Sequence, residues 1–162
     1  MKIKEIIIHV SDSPEGRADT VDDIRRWHLE KGWSDIGYHY VLGINGELWK
    51  GRDLDRDGDI LDEIGAHAYG YNRGSVGICI VGGATDEEEY ADREPKDTRT
   101  QEQHIMLRKL VFDLLKLHVA KNAVVIGHNQ VSDKACPCFD VYEWGKLVGI
   151  PEKHLHEGKY TR

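Results

Sequence analysis

Three side chains that can bind a metal ion stand at or just after the ends of predicted strands. His9 ends an apolar run over residues 6–8, His128 follows an apolar run over residues 124–126, and Cys136 comes eight residues after His128. Two imidazoles and one thiolate suit Zn²⁺, and three protein ligands leave the fourth tetrahedral position open, as in catalytic sites. The chain has nine histidines, so chance pairs are expected, and spacing alone does not separate ligands from ordinary polar residues.

Apolar runs and turn signals predict the strands that would position these side chains. The predicted strands cover residues 3–10, 38–44, 47–51, 76–81 and 123–126. The first and fourth runs are apolar without alternation, which is typical of strands covered on both faces. Asn45-Gly46 separates the second run from the third and predicts a β-hairpin.

Helices are predicted between and after these strands. They cover residues 21–31, 100–120 and 140–149. Thr20 with Asp23, and Thr100 with Gln103, have the spacing of capping boxes at helix N-termini. The apolar stripe of the second helix continues to His118, which extends that helix to about Ala120.

The order of strands and helices predicts an α/β fold with a central mixed β-sheet flanked by helices. The 162 residues suit a single domain, expected over residues 1–150. A polar tail over residues 151–162 is expected to be frayed or loosely docked. In such sheets binding sites lie at the strand ends. The three side chains that could bind a metal also lie there.

Composition and charge exclude some classes of partner. The net charge of −7 argues against a nucleic acid partner, because phosphate binding needs clustered Lys and Arg. No apolar stretch approaches the length of a membrane span, so no membrane partner is expected. The N-terminus lacks the pattern of a signal peptide, which predicts synthesis in the cytoplasm. An acidic stretch over residues 85–97 is expected to be a solvated loop away from any site.

The cysteines do not predict a disulfide framework, because their number is odd and no export signal precedes them. Cys79 lies inside a buried-type strand and is expected to be a small core residue. Cys138 stands two residues after Cys136. It is a rival thiolate that could replace Cys136 on a metal or pair with it under oxidation.

Several longer motifs occur in a fixed order along the chain. They are Ile-Ile-His-Val-Ser at 7–11, Ile-Arg-Arg-Trp-His at 24–28, Gly-Trp-Ser-Asp-Ile-Gly-Tyr-His-Tyr at 32–40, Gly-Ala-His-Ala at 65–68, Tyr-Asn-Arg-Gly-Ser-Val-Gly-Ile at 71–78, Val-Gly-Gly at 81–83 and Lys-Ala-Cys-Pro-Cys-Phe-Asp at 134–140. Together they resemble the type-2 N-acetylmuramoyl-L-alanine amidases, specifically the small phage lysozymes of amidase type. Peptidoglycan-recognition proteins are more distantly similar.

The resemblance implies roles for particular residues when the motifs are matched position by position. It implies that His9, His128 and Cys136 hold one Zn²⁺ per chain. It implies that Tyr38 and Lys134 are the catalytic side chains. His67, in Gly-Ala-His-Ala, would line the substrate groove, although an ordinary surface-loop histidine is a competing interpretation. Cys138 departs from the family pattern, which has a small residue there, and the family places the ligand directly before Pro137, which favours Cys136.

The remaining histidines are given no part in the chemistry. His28 matches the family and is expected to pack the first helix against the sheet. His39 is expected to be structural or to support the site from behind. No role is assigned to His104, His118, His154 and His156.

The implied reaction is hydrolysis of the amide between N-acetylmuramic acid and L-alanine in peptidoglycan. Zinc would polarise the carbonyl and activate water, and the Lys134 ammonium would stabilise the oxyanion. Tyr38 would position the water or relay a proton. The expected setting is a phage or prophage endolysin, a monomeric bacteriolytic and antimicrobial enzyme that acts on the cell wall after release. A cytoplasmic wall-recycling amidase is a second setting.

Two alternatives belong to other functional classes. One is a non-catalytic peptidoglycan-binding module, because some relatives bind the wall without cutting it. Those relatives usually lack the cysteine ligand, whereas Cys136 is present here. The other is an amidase that also regulates a phage RNA polymerase, for which the sequence identifies no surface.

Overall fold

The fold is organised around a five-stranded mixed sheet. The computed structural model describes residues 2–117 and 120–162. Its strands, in chain order, are β1 (Glu5–Val10), β2 (Ser13–Pro14), β3 (Tyr40–Leu42), β4 (Leu48–Lys50), β5 (Ser75–Ile80), β6 (Gly83–Ala84) and β7 (Val124–Gly127). Its α-helices are α1 (Val21–Glu30), α2 (Gln101–Lys116) and α3 (Val141–Val148).

The strand order in the main sheet is β4-β3-β5-β1-β7. β1 pairs in parallel with both β5 and β7, and β3 pairs in parallel with β5. Only the hairpin partner β4 runs antiparallel, against β3. β2 and β6 form a separate two-stranded parallel ladder. The α/β class and the mixed sheet predicted from the sequence are confirmed.

The two central strands are buried on both faces. Ile6 and Ile8 of β1 belong to a large core cluster with α2, whereas Ile7 points to the other face and packs with Ala68 and Ile126. This follows from the two-residue period of a strand. Both layers exclude water, which explains why these runs are apolar without alternation.

Parallel pairing brings the carboxyl ends of the central strands to one edge of the sheet. Ile8 of β1 is aligned with Gly127 of β7. His9 and His128 therefore follow paired residues on neighbouring strands. β5 ends beside them, with His9 aligned with Cys79.

Side chains cap the helices where the sequence predicts. Both capping boxes are present, at Thr20 with Asp23 and at Thr100 with Gln103. α2 nevertheless ends at Lys116 rather than near residue 120, because Leu117 is extended, with φ −68° and ψ 145°. His118 lies outside the described residues. Among the helices of the described chain, none is both long enough and apolar enough to cross a bilayer.

The C-terminal tail is docked on the domain, so the expectation of a frayed or loosely docked tail is wrong. Leu155 forms a bridge with Val125 of β7, and His154 is buried with Nδ1 2.8 Å from the carbonyl oxygen of Ala123. Arg162 forms an ion pair with Glu5, whose side chain is fully buried. A buried carboxylate needs such a partner, and the partner comes from the far end of the chain.

Candidate metal centre

His9, His128 and Cys136 converge at the carboxyl edge of the sheet. One ligand atom from each lies within 4.8 Å of the other two. The Cys136 Sγ is 3.9 Å from His9 Nδ1, and the His9 and His128 rings are 4.5 Å apart between centroids. Three sequence-distant residues of metal-binding type therefore form one cluster, which we call the metal cluster.

Local hydrogen bonds hold this cluster in place. The backbone N–H of Val10 donates to the Cys136 Sγ at 3.3 Å. His128 begins a short 3-10 turn over residues 128–130. The Gln130 side chain accepts from the Gly127 N–H at 2.9 Å, and the Ser132 hydroxyl donates to the His128 carbonyl at 3.0 Å. These bonds fix the segment that carries one imidazole.

Burial sets the protonation of the two imidazoles. Burial lowers the pKa of His9 well below its ordinary value, with further contributions from His67, His128, Lys134 and His39. Burial, followed by the charge of Lys134, lowers the pKa of His128 to about 4. Both rings are therefore neutral at pH 7, which is the form that binds a metal.

The thiol of Cys136 needs a nearby cation to ionise. Burial raises its pKa to about 12, against the opposing effects of the Val10 N–H and the Lys134 charge. A bound metal ion deprotonates a coordinating thiol outright. The donor chemistry, two neutral imidazoles and one thiol within reach of one point, fits Zn²⁺ with one position left open.

Tyr38 lies beside the metal cluster and keeps its proton. Its ring is partly buried, with the centroid 5.2 Å from that of His9 and 6.4 Å from that of His67. Burial raises its pKa well above the ordinary value, with smaller contributions from Cys79 and Cys136. At neutral pH its hydroxyl is therefore a hydrogen-bond donor rather than a base.

Lys134 stands on the exposed loop that leads to Cys136. Its charge contributes to lowering the pKa of His9, His128 and Cys136. All three effects have the sign expected for a positive charge near the cluster. The Lys134 charge therefore acts on all three side chains of the metal cluster.

His67 contacts the metal cluster directly. Its Nδ1 is 2.9 Å from Nε2 of His9, and its Nε2 is 3.2 Å from the Ser75 hydroxyl. Its partly buried ring lies over Gly77, where a Cβ would come within 2.6 Å of the imidazole. Both of its nitrogens have partners inside the protein.

The remaining cysteines are not members of the metal cluster. The Cys138 thiol donates to the carbonyl oxygen of Gly83 at 3.3 Å, and Cys138 is not part of the metal cluster. Cys79 is fully buried in β5, as expected for a core residue. The geometry therefore favours Cys136 over Cys138 as the thiol facing the histidines.

The other histidines near the sheet are bound to backbone groups. His39 is fully buried; its Nδ1 accepts from the Gly77 N–H at 3.0 Å, and its Nε2 lies 3.1 Å from the Glu63 carbonyl oxygen. His28 Nδ1 accepts from the Gly37 N–H at 3.0 Å. These hydrogen bonds indicate that both side chains have a structural role.

Sequence reasoning missed three residues in the surroundings of the cluster. Ser75 and Asn72 lie within the motif at 71–78, and that motif was the one signal pointing to them. Asp12 contributes to the raised pKa of Cys136 and accepts from the Tyr90 hydroxyl at 2.9 Å. The acidic stretch that contains Tyr90 therefore reaches the edge of the site, contrary to the expectation that it lies away from any site.

A second group of carboxylates, Asp53, Asp55 and Asp57, lies on the loop that follows β4. Asp53 accepts from the Gly58 N–H at 3.2 Å, and Asp57 accepts from the Asp59 N–H at 2.7 Å. Such bonds are typical of turns formed by aspartate. These hydrogen bonds indicate that the acidic residues stabilise the turns of their own loop.

Comparison with known proteins places the chain in a family. The family described as N-acetylmuramoyl-L-alanine amidase matches residues 1–139. The endolysin of Escherichia phage T7 is 37% identical over 139 residues, covering 86% of this chain and 83% of that protein. The endolysin of Klebsiella phage KP32 is 36% identical over 140 residues, with the same 86% and 83% coverage.

A solved structure supports the same assignment. Wild-type peptidoglycan-recognition protein LB of Drosophila superposes with a TM-score of 0.69 at 28% identity, covering 99% of this chain and 86% of that chain. The family match spans most of the chain, and the superposition spans nearly all of it. The chain therefore belongs to the N-acetylmuramoyl-L-alanine amidase family and is an amidase of that family.

Proposed function

We propose that this amidase depends on Zn²⁺ held by His9, His128 and Cys136, and that it cuts the amide between N-acetylmuramic acid and L-alanine in peptidoglycan. The observation that carries the proposal is the convergence of three donor atoms within 4.8 Å at the carboxyl edge of the sheet. The family membership of the chain supplies the identity of the bond. The catalytic domain spans residues 1–150, with the 151–162 tail packed against it.

The residues around the metal cluster divide the remaining work. When bound, Zn²⁺ supplies the Lewis acidity that activates water and polarises an amide carbonyl. The Lys134 ammonium adds positive charge where the carbonyl oxygen becomes negative. The Tyr38 hydroxyl donates a hydrogen bond to a reacting oxygen or a proton to the departing nitrogen, because it keeps its proton at neutral pH. His67 borders the groove in which the substrate lies.

The biological setting that we infer is lysis by a phage or prophage. The relatives from phages T7 and KP32 are named endolysins and align over 86% of this chain. The partner is peptidoglycan, met on the cell wall after release, and we infer that the enzyme acts as a monomer.

Metal content and product chemistry test this proposal together. Purified protein should contain one zinc per chain, and chelation should abolish activity that added Zn²⁺ restores. Digestion of a defined muropeptide should release new L-alanine amino groups and leave the sugar chain whole. New reducing ends without new amino groups would indicate a glycosidase. Binding of peptidoglycan without cleavage would indicate a recognition module.

A further inference from the structure

We propose that His67 is a positioning residue that fixes the tautomer of His9. The proton of His9 is held on Nε2, which leaves Nδ1 free to bind the metal. The inference rests on the proposed function, because it takes His9 as a ligand. It starts from the 2.9 Å separation between His9 Nε2 and His67 Nδ1.

The two nitrogens of His9 face different surroundings. Nδ1 is 3.9 Å from the Cys136 Sγ and so faces the metal cluster. Nε2 faces away from the thiol, toward His67. A neutral imidazole carries one proton, and the nitrogen that binds a metal must be the unprotonated one. A ligating Nδ1 therefore requires the proton on Nε2.

The hydrogen bonds on the far side of His67 determine which of its two nitrogens carries the proton. The Ser75 hydroxyl donates to the Asn72 carbonyl oxygen at 3.3 Å, since a carbonyl can only accept. The Ser75 oxygen then accepts from His67 Nε2–H at 3.2 Å. This leaves His67 Nδ1 unprotonated, and it accepts from His9 Nε2–H. If the Ser75 hydroxyl instead donated to His67 Nε2, the hydrogen bond from Ser75 to the Asn72 carbonyl would be lost.

The surroundings of His67 hold its ring in this orientation. The Asn72 side chain accepts from the backbone N–H groups of His67 and Ala68, at 2.8 and 2.9 Å. Gly65 and Gly77 leave room for the ring, because a Cβ at either position would approach it within 2.5 or 2.6 Å. The acceptor for His9 is thus supplied by a side chain that is fixed at both ends.

His39 is another imidazole beside His67, and both of its nitrogens are already engaged. Its Nδ1 accepts from the Gly77 N–H, and its Nε2 donates to the Glu63 carbonyl. His67 is consequently the partner of His9 Nε2. This role is separate from the proposed place of His67 at the border of the substrate groove.

Three variants separate this role from simple packing. His67→Leu keeps the bulk but removes both nitrogens. His67→Asn places an amide oxygen near the position of Nδ1, so it keeps the acceptor for His9 while losing the contact with Ser75. His104→Leu is the matched control, because it makes the same substitution beside Trp144, outside the metal cluster.

Two measurements are made on each variant. Long-range ¹⁵N–¹H NMR correlation of the imidazoles, recorded on metal-free protein, reports the tautomer of His9. Competition with a chromogenic chelator gives the Zn²⁺ dissociation constant. Loss of a partner of a metal-ligating histidine typically weakens metal affinity by about 10- to 100-fold.

The wild-type protein and His104→Leu should show His9 protonated on Nε2 and bind Zn²⁺ equally well. His67→Leu should show a mixture of tautomers and bind Zn²⁺ about 10- to 100-fold more weakly, and His67→Asn should restore most of both properties. His9 protonated on Nδ1 in the wild type, or unchanged Zn²⁺ affinity in His67→Leu, overturns the inference. A wild type that binds no Zn²⁺ refutes the proposed function instead, and the tautomer measurement still tests His67.

Discussion

At the scale of residues, the site combines groups whose protonation states are set by burial. Burial keeps the His9 and His128 imidazoles neutral, and it keeps the Cys136 thiol protonated until a cation approaches. Lys134 is exposed and charged, and its field acts on all three. The cluster is therefore ready to accept a divalent cation on its neutral nitrogens, with release of the thiol proton.

The two neighbouring cysteines should respond differently to the same substitution. Cys136→Ser should lose bound zinc and activity, because Cys136 is the thiol that faces His9. Cys138→Ser should retain both, because its thiol contacts the Gly83 carbonyl. Zinc content by plasma emission and amidase rate on muropeptide check this. The opposite pattern would make Cys138 the ligand.

Replacing Lys134 should impair turnover without removing the metal. Lys134→Ala should lower kcat by roughly 100-fold or more, the scale of losing one oxyanion donor, with zinc content intact and KM little changed. Lys134→Thr should keep part of the rate. Steady-state kinetics with zinc analysis provide the test, with Tyr38→Phe for comparison and the exposed Lys153→Ala as the control. Near wild-type turnover in Lys134→Ala would show that Lys134 is an ordinary solvated charge without a catalytic role.

At the scale of elements, three parallel strands deliver the site. β1, β5 and β7 end at one edge; His9 lies near the end of β1, and His128 directly follows β7. α2 contributes Leu107 and Val111 to the core cluster that contains Ile6 and Ile8 of β1. The start of α2 is tied to the β-hairpin, because the Thr100 hydroxyl donates to the Ile44 carbonyl at 2.7 Å while accepting from the Gln103 N–H.

This double contact makes Thr100 a test of how the helix supports the fold. Thr100→Ala should lower the free energy of unfolding by about 1 kcal/mol, as is usual for a lost N-cap. Urea denaturation of the metal-free protein measures the change. Thr161→Ala, at an exposed position in the tail, should stay within about 0.5 kcal/mol of wild type. Equal values for the two variants would show that the cap contributes nothing.

The sequence was sufficient where local chemistry determines the outcome. Unbroken apolar runs identified β1 and β5, and the caps at Thr20 and Thr100 marked the helix starts. His9 and His128 were candidates because each lies at the end of a predicted strand, where binding sites occur in such sheets. Spacing alone did not separate them from ordinary polar residues, and the resemblance to the amidase family supplied the set of His9, His128 and Cys136.

Features that depend on distant contacts were not predictable in this way. The bond between His67 and His9 joins residues 58 positions apart and depends on how a loop folds back over Gly77. The docking of the tail depends on a buried carboxylate, Glu5, whose partner Arg162 is 157 positions away. Neither leaves a periodic signal, because each is one specific polar contact.

At the scale of the whole molecule, the tail secures the start of β1. Arg162 donates to both carboxylate oxygens of Glu5, at 3.0 and 2.8 Å, and the Tyr160 hydroxyl donates to the same group at 3.1 Å. Glu5 is fully buried, whereas the Arg162 side chain is 29% exposed. The buried charge is therefore neutralised by Arg162, a residue 157 positions away along the chain.

Removing that partner should be costly. Arg162→Ala should lower the free energy of unfolding by roughly 2–4 kcal/mol, near the lower end for a broken buried ion pair because Arg162 is partly exposed. Urea denaturation provides the measurement, and Arg73→Ala, an exposed arginine, is the control. A change below about 0.5 kcal/mol would show that water or Tyr160 alone satisfies Glu5.

Bound zinc should raise the thermal stability of the protein. Ligand that binds only the folded state adds about 4 kcal/mol at a free concentration 1,000 times its dissociation constant. Calorimetry with and without a chelator should therefore show a clear fall in Tm on metal removal. The chelator should leave the Tm of Cys136→Ser unchanged, and a wild-type Tm that is equally insensitive to the chelator would contradict this prediction.

The place of β1 between β5 and β7 in the sheet governs how the site must assemble. His9 is aligned with Cys79, 70 positions along the chain (79 − 9), and its Nδ1 meets a thiol 127 positions away. Parallel pairings over such separations close long loops and are slow to form during folding. A chain with only its local helices and hairpin formed has no metal centre at all. Under the proposed function, capture of Zn²⁺ would report that the most distant parts of the chain have come together, and an incompletely folded copy would have no catalytic centre.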